Sequence, residues 1–401
     1  MPPIALLENP IREYDWGSRT AIAELLGRSS PSAAPQAELW MGAHPSAPSF
    51  ALLPGGRRSL LAWIEDRPRE ILGARAHEKF GRRLPFLMKV LAADRPLSIQ
   101  AHPDADQARE GFARENAAGI PLAAPERCYR DASHKPELLC ALTPFWALCG
   151  FRSPREILAL VERLAVSDLA AVAACLRTVR EGEALAAWLR ALFALTEEPR
   201  SRLVRAVARA AAAQVEYDVA FEWIARLQQV YPDDVGVFAP LFLHAVRLEP
   251  GEAIFLPARE LHGYLQGVGI ELMANSDNVL RGGLTTKPLA VGELLRSLRF
   301  EAAPPLLLRA QPDAAGWEHW PTPALEFELS RARLHGGASV ASSRERGVEL
   351  LLCTEGEVEL VPEGARAGVA LVQGASCVVP AVAGAYRANG HGTLYRAAVP
   401  L

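Results

Sequence analysis

The chain has 401 residues, half of them hydrophobic and 22% charged, the balance of an ordinary globular protein and too long for a single core. A formal charge of -3 supplies no basic field to gather a nucleic-acid backbone, and no apolar run approaches the roughly 20 residues that a membrane span needs, so no nucleic-acid partner and no membrane insertion are expected. Six scattered cysteines without a CxxC pair, and an N-terminus without a basic-then-apolar export pattern, point to reduced thiols in the cytoplasm.

Residues 1–152 hold short apolar runs broken by Pro and Gly: Leu84 to Leu91, Leu97 to His102 and Leu138 to Leu142. This punctuation predicts short strands. At Ser153-Pro154-Arg155-Glu156 the texture changes. Ser with Glu three residues later is a capping box, and Pro at the first helical position gives up an N–H that has no partner there, so a helix is expected to start. Residues 153–235 are rich in Ala, Leu, Arg and Glu, with apolar positions at helical spacing (Ile157, Leu160, Val161, Leu164; Leu185, Trp188, Leu189, Leu192; Phe221, Ile224, Leu227). They read as a helical packing or lid unit. Strand texture returns at Val237 to Leu243, and Leu248 to Pro257, turning at Pro250-Gly251, reads as a hairpin. Near the end, Val348 to Leu352, Gly356 to Leu360 and Gly374 to Pro380 alternate as separate strands of a small sandwich or jelly roll. The expected fold is mainly β with a helical insertion: a discontinuous β unit (1–152 and 236–300), a helical unit (153–235) and a second β unit (301–401).

Three segments carry residues suited to chemistry. Gln100 and His102 stand two apart in a strand-like run, so their side chains leave one face. His134-Lys135-Pro136-Glu137 crowds three functional groups ahead of a strand, and His262 follows the expected hairpin. Gln100, His102, Glu137 and His262 form a nitrogen and oxygen donor set that fits zinc. Two His and a carboxylate also suit the facial triad of iron oxygenases, and Gln100 as a fourth ligand favours zinc. Beyond them, Glu271 to Lys287 is a polar run in which Gly282-Gly283 follows Arg281, a pairing that permits close backbone approach to a ligand.

Tyr14-Asp15-Trp16-Gly17-Ser18, Ala37 to Ser46, Ser98 to Asp104, His134 to Glu137 and Ser276 to Thr285 occur in an order that resembles type I mannose-6-phosphate isomerases of the cupin superfamily. The resemblance implies a cupin jelly-roll barrel with one Zn2+ per chain on Gln100, His102, Glu137 and His262, Arg281 as a catalytic residue, and Lys135 and Glu271 lining the site. Ser133, Gly263 and Thr286 depart from the usual Asn, Ala and Pro, and none of these changes removes a ligand. The implied activity interconverts mannose 6-phosphate and fructose 6-phosphate through an enediolate. An iron-dependent cupin oxygenase and a non-catalytic sugar-binding cupin are the rival readings.

Such a reaction needs a proton shuttle, charge stabilisation and a grip on phosphate. Arg281 suits charge stabilisation, because its fork addresses two adjacent oxygens. Lys135 and Glu271 both remain open as the base, with His134 as a weaker candidate. Lys89, Ser98 and Lys287 are the candidate phosphate contacts. The expected partner is a small phosphosugar, and the expected state is a monomer.

Overall fold

The computed structural model describes residues 4–177 and 180–400. Two large, mainly antiparallel sheets carry the architecture, and a block of helices lies between strands Phe145–Phe151 and Leu243–Leu248 in the chain. One strand organises the first barrel. His262–Ala274 pairs through its first residues with Ile99–Ala101 and Phe145–Phe151, and from Gly267 onward with Phe86–Ala93 and Glu137–Ala141. The change of partners coincides with a register shift at Tyr264/Gln266 and with Gly267 at φ +129, where a side chain would collide with the Phe145 and Pro144 backbone. A single strand thus passes from one sheet face to the other, which folds the sheets into a jelly-roll barrel.

Register then decides what the interior contains. Trp40, Lys89, Glu271 and Leu139 oppose one another in one row, and Gly42, Leu87, Met273 and Glu137 form the row two residues along, on the same face. Opposed residues share a face, so Lys89, Glu271 and Glu137 all project into the barrel. On the other wall His262 and Arg281 both oppose Gln100.

The helix expected at Ser153 forms as Pro154–Leu164, with both reciprocal capping-box bonds present. It is followed by Ser167–Val172, Glu181–Phe193, Glu197–Ala212 and Val219–Val230, whose named apolar residues are all buried. Their core is shared with Ile99, Ala101, Leu148, Leu261, Leu280 and Leu284. The helices therefore back the strands that carry Gln100 and Arg281.

Several local expectations fail for identifiable reasons. Val237 to Leu243 is not a strand: Val235–Phe238 is a 3-10 turn and Ala239–Phe242 a short helix, all buried. A short apolar run has no periodicity that separates buried helix from buried strand, and Pro240 sits in the first turn, where a helix accepts it. The Pro250-Gly251 turn forms with Gly251 at φ +90, yet its flanking strands are not hairpin partners. Leu243–Leu248 pairs with Phe145–Phe151, while Glu252–Leu256 pairs with Glu137–Ala141 and Leu306–Arg309. The two strands expected between Val348 and Leu360 are one strand, Glu349–Pro362, kinked by a register shift at Cys353/Glu355.

Strand pairing also crosses the expected unit boundaries. Ala5–Glu8 joins Ser376–Val379 of the C-terminal sheet and bridges it to Phe50–Leu53, while Leu306–Arg309 adds to the first sheet. One core accordingly combines Phe86, Met88, Leu138 and Ile270 with Trp320, Phe327, Leu350 and Val378. Among the described residues no helix is long and apolar enough to cross a membrane.

Candidate metal centre and active site

His102, Glu137 and His262 converge inside the first barrel, each 1% exposed, with one ligand atom from each within 4.8 Å of the others. His102 Nε2 lies 3.3 Å from Glu137 Oε1, and His262 Nε2 lies 3.3 Å from Glu137 Oε2. Both Nε2 atoms are buried without a hydrogen-bond partner. Buried polar atoms are rarely left so, and two orphaned imidazole nitrogens on either side of a carboxylate are what a metal ion satisfies. The opposite ring nitrogens are engaged: Nδ1 of His102 donates to the Asn278 carbonyl at 2.6 Å, and Nδ1 of His262 to the Glu260 carbonyl at 3.0 Å. These bonds fix the tautomer that leaves a lone pair on each Nε2. Burial, with the Lys135 ammonium nearby, pushes the His102 imidazole down to about 4, toward the neutral form a ligand needs. Burial opposes charge on Glu137, but Lys135 and His102 overcome it and hold the carboxyl well below its ordinary range. Gln100, half-buried, shares the face of its cross-strand partner His262.

Next to the ligands lies a buried charge network. Lys135 Nζ is 3.1 Å from Glu137 Oε1. Lys89 Nζ donates to Glu271 Oε2 at 2.7 Å and to Glu38 Oε1 at 3.4 Å, while the Trp40 indole N–H donates to the other Glu38 oxygen at 2.8 Å. Burial opposes charge on Lys89, and Glu271 and Glu38 outweigh it and raise the ammonium. Two carboxylates facing one ammonium leave excess negative charge, so burial, together with Glu137 and Glu38, lifts the Glu271 carboxyl above its usual range against the pull of Lys89.

A second group of cations combines half-buried Arg281 with exposed Arg130 and Lys287. Burial and the nearby Arg130 lower the Arg281 guanidinium, and Arg281 in turn lowers Lys287, with burial and Arg130 adding to the effect. None of the three side chains has an ion pair or hydrogen bond among the described residues. Lys287 thus stands with Arg281 and Arg130, whereas Lys89 points into the barrel toward Glu271. Ser98 is half-buried, one residue before the Ile99–Ala101 strand. The His134 ring meets Glu326 of the C-terminal β unit at 2.9 Å.

The glycine pair after Arg281 serves a different contact from the one expected. Gly283 (φ +139) lies against Gly236, and a Cβ there would come within 2.7 Å of the Gly236 backbone. Asp234 accepts the Gly236, Leu284 and Thr285 N–H groups, which ties the segment after Arg281 to the end of the helical block.

Residue patterns overlooked several participants. Glu38 and Tyr264 carried a usable signal, since each stands two positions along a strand from a residue of the site (Trp40 and His262), and the Tyr264 hydroxyl lies 3.5 Å from Glu137. Asn278 lay within the Ser276 to Thr285 segment but carried no sign of a role of its own. Its amide donates to the Asp131 and Ser133 carbonyls, its side-chain oxygen accepts from Arg130 N–H, and its own carbonyl holds His102. His44, buried against Trp40, reaches Asp277 at 3.4 Å in the same loop.

Fold and site together define a cupin-type β-barrel protein with a two-histidine, one-glutamate metal centre beside a buried acid–base network. Residues 4–154 match the catalytic domain of phosphomannose isomerase type I, and residues 188–243 match that family's helical insertion domain. The mannose-6-phosphate isomerase of Escherichia coli (strain K12) is 41% identical over 392 residues, covering 97% of this chain and 98% of that one. The Homo sapiens enzyme of the same name is 37% identical over 75% of this chain and 74% of its own. A crystal structure of mannose 6-phosphate isomerase from Salmonella typhimurium, bound to fructose 6-phosphate and zinc, superposes with a TM-score of 0.91 at 39% identity, with both chains fully covered. The chain belongs to the type I phosphomannose isomerase family.

Proposed function

We propose that this protein is a zinc-dependent aldose-ketose isomerase that interconverts D-mannose 6-phosphate and D-fructose 6-phosphate. The observation that carries the reading is the pair of orphaned, tautomer-fixed Nε2 atoms flanking Glu137. His102, Glu137 and His262, with Gln100 as a fourth donor, hold the ion, which when bound supplies Lewis-acid stabilisation to charge developing on sugar oxygens.

The remaining work falls to side chains. Glu271, its carboxyl raised in its buried setting, takes the C2 proton of the aldose and returns it to C1, while the proton that leaves O2 is passed to O1. Lys135 supplies positive charge beside the ligand carboxylate, and Lys89 holds Glu271 in place. Arg130 and Lys287 offer unpaired cations that a phosphate requires, and Arg281, which opposes Gln100, addresses charge developing on the sugar oxygens. Six unpaired cysteines suit a reducing cytoplasm, and the site is complete within one chain, consistent with a monomer.

A coupled assay with mannose 6-phosphate, run before and after chelation and beside metal analysis and thermal melting, tests this reading. One zinc per chain, loss of turnover and a lower Tm on chelation, and recovery of both with zinc are expected. Full turnover in metal-stripped protein, or no turnover in the zinc-loaded form, overturns it.

A further inference from the structure

The loop that delivers Lys135 and Glu137 is pinned from several sides. Ser276 and Asn278 hold Asp131 and Ser133, and the Ala274 N–H holds the Pro136 carbonyl, all from the loop and strand end of the first barrel. His134 lies between these anchors, directly before Lys135. Its Nε2 is 2.9 Å from Oε1 of Glu326, a residue of the segment between strands Glu318–Trp320 and Glu328–Leu334 in the C-terminal β unit. Among the described residues this is the one hydrogen bond that residues 130–136 receive from that unit.

Glu326 is itself held firmly. Its other oxygen accepts the Leu325 N–H at 3.1 Å, so both carboxylate oxygens are committed. Phe327, directly after it, and Ala324, two residues before it, are buried in the core shared with Phe86, Met88 and Leu138, while Leu325 is exposed. The backbone carrying the carboxylate is therefore packed against the strands that carry Lys89 and Glu137. The Glu326 side chain is 14% exposed and that of His134 34% exposed, so the contact is shielded more than a surface ion pair. A carboxylate only accepts, so the bond places the His134 proton on Nε2 and fixes the ring's orientation.

We infer that Glu326 of the C-terminal β unit is a positioning residue for the isomerase site, acting through His134 to hold the loop that presents Lys135 and Glu137. The inference rests on the isomerase reading above. In this arrangement the second β unit completes the catalytic barrel. Removing the carboxylate frees the ring and loosens the loop, an effect that falls on turnover more than on substrate affinity.

The test is a double-mutant cycle on the full-length, zinc-loaded protein: Glu326→Ala, His134→Ala and the pair, with Glu326→Gln as the conservative variant and Glu326→Met to preserve packing volume. Glu326→Ala is expected to lower kcat by about 10- to 100-fold with KM little changed, the scale of a small misplacement of reacting groups. The double variant is expected to match His134→Ala alone, and Gln, which still offers an acceptor oxygen, to recover most of the loss. If Glu326→Ala does not fold, Glu326→Met takes its place in the cycle. Unchanged kcat, additive losses, or a Gln variant as impaired as Ala overturns the inference. The His134 Nε2–H resonance, followed by proton NMR, separates this outcome from failure of the isomerase reading. An inactive wild type refutes the isomerase reading, whereas an active wild type whose resonance survives Glu326→Ala refutes the positioning role alone.

Discussion

Replacing Lys89 by Met removes the single ammonium that serves two buried carboxylates. Lys89, Glu271 and Glu38 are 5%, 3% and 7% exposed, and the Lys89 Nζ lies 2.7 Å from Glu271 and 3.4 Å from Glu38. At an effective dielectric of about 20 these two ion pairs have roughly 6 and 5 kcal/mol of Coulomb energy, most of it offset by the desolvation of the charges. The net destabilisation on deleting one partner of a buried pair is about 3 to 5 kcal/mol, which at an unfolding entropy of about 2.1 cal/mol/K per residue lowers the Tm of a chain this long by about 4 to 6 °C. The double change Lys89→Met with Glu271→Gln removes both charges and leaves Glu38 its Trp40 partner, so it is expected to regain at least half of that stability. The destabilisation also depends on pH. The folded Glu271 carboxyl already lies above its unfolded value and rises further without Lys89, so folding favours its protonated form. The Met variant is therefore closest to wild type below the unfolded carboxyl value, and it weakens as pH rises through the folded one. The raised Lys89 ammonium keeps its contribution in wild type across the neutral range and loses it only in alkali. Thermal melts of zinc-loaded protein from pH 5 to 9 read the widening gap between the Met variant and wild type as pH rises. A Met variant as stable as wild type at pH 8, or a double variant no better than the single, refutes the account of the network.

Arg281→Ala is expected to lower turnover by about 10² to 10³ with zinc content and Tm intact, and Arg281→Lys to recover only part, because Lys restores charge without the planar fork. Normal activity of the Ala variant in the coupled assay removes Arg281 from the chemistry, and a zinc-depleted Ala variant reassigns it to structure. Asn278→Ala unclips the Asp131 and Ser133 carbonyls behind His102 and is expected to weaken zinc affinity by about 10- to 100-fold, the usual effect of removing a group that supports a ligand. Competition with a chromogenic chelator measures it, and unchanged affinity shows that the loop holds His102 without the clip.

Whatever local chemistry can encode was legible in the residues alone. The capping box at Ser153 and the 3.6-residue apolar spacing after it specify helices whatever lies around them, and the strand texture around Gln100 marks the strand Ile99–Ala101 that carries it. The residue types of the donor set likewise limited the metal chemistry to a nitrogen and oxygen centre. Everything that depends on pairing between distant strands was settled only by folding. Register placed Lys89 beside Glu271 inside the barrel, whereas Lys287 stands exposed near Arg281 and Arg130, although Lys89 and Lys287 had read alike as candidate phosphate contacts. It paired Ala5–Glu8 with a strand near the opposite end of the chain and broke the expected hairpin at Gly251, because hydrogen-bonding partners of a strand are not written in its own residues. Asn278 and Glu326 became visible for the same reason: each acts on a loop remote in sequence, and only the folded chain brings donor and acceptor within 3 Å.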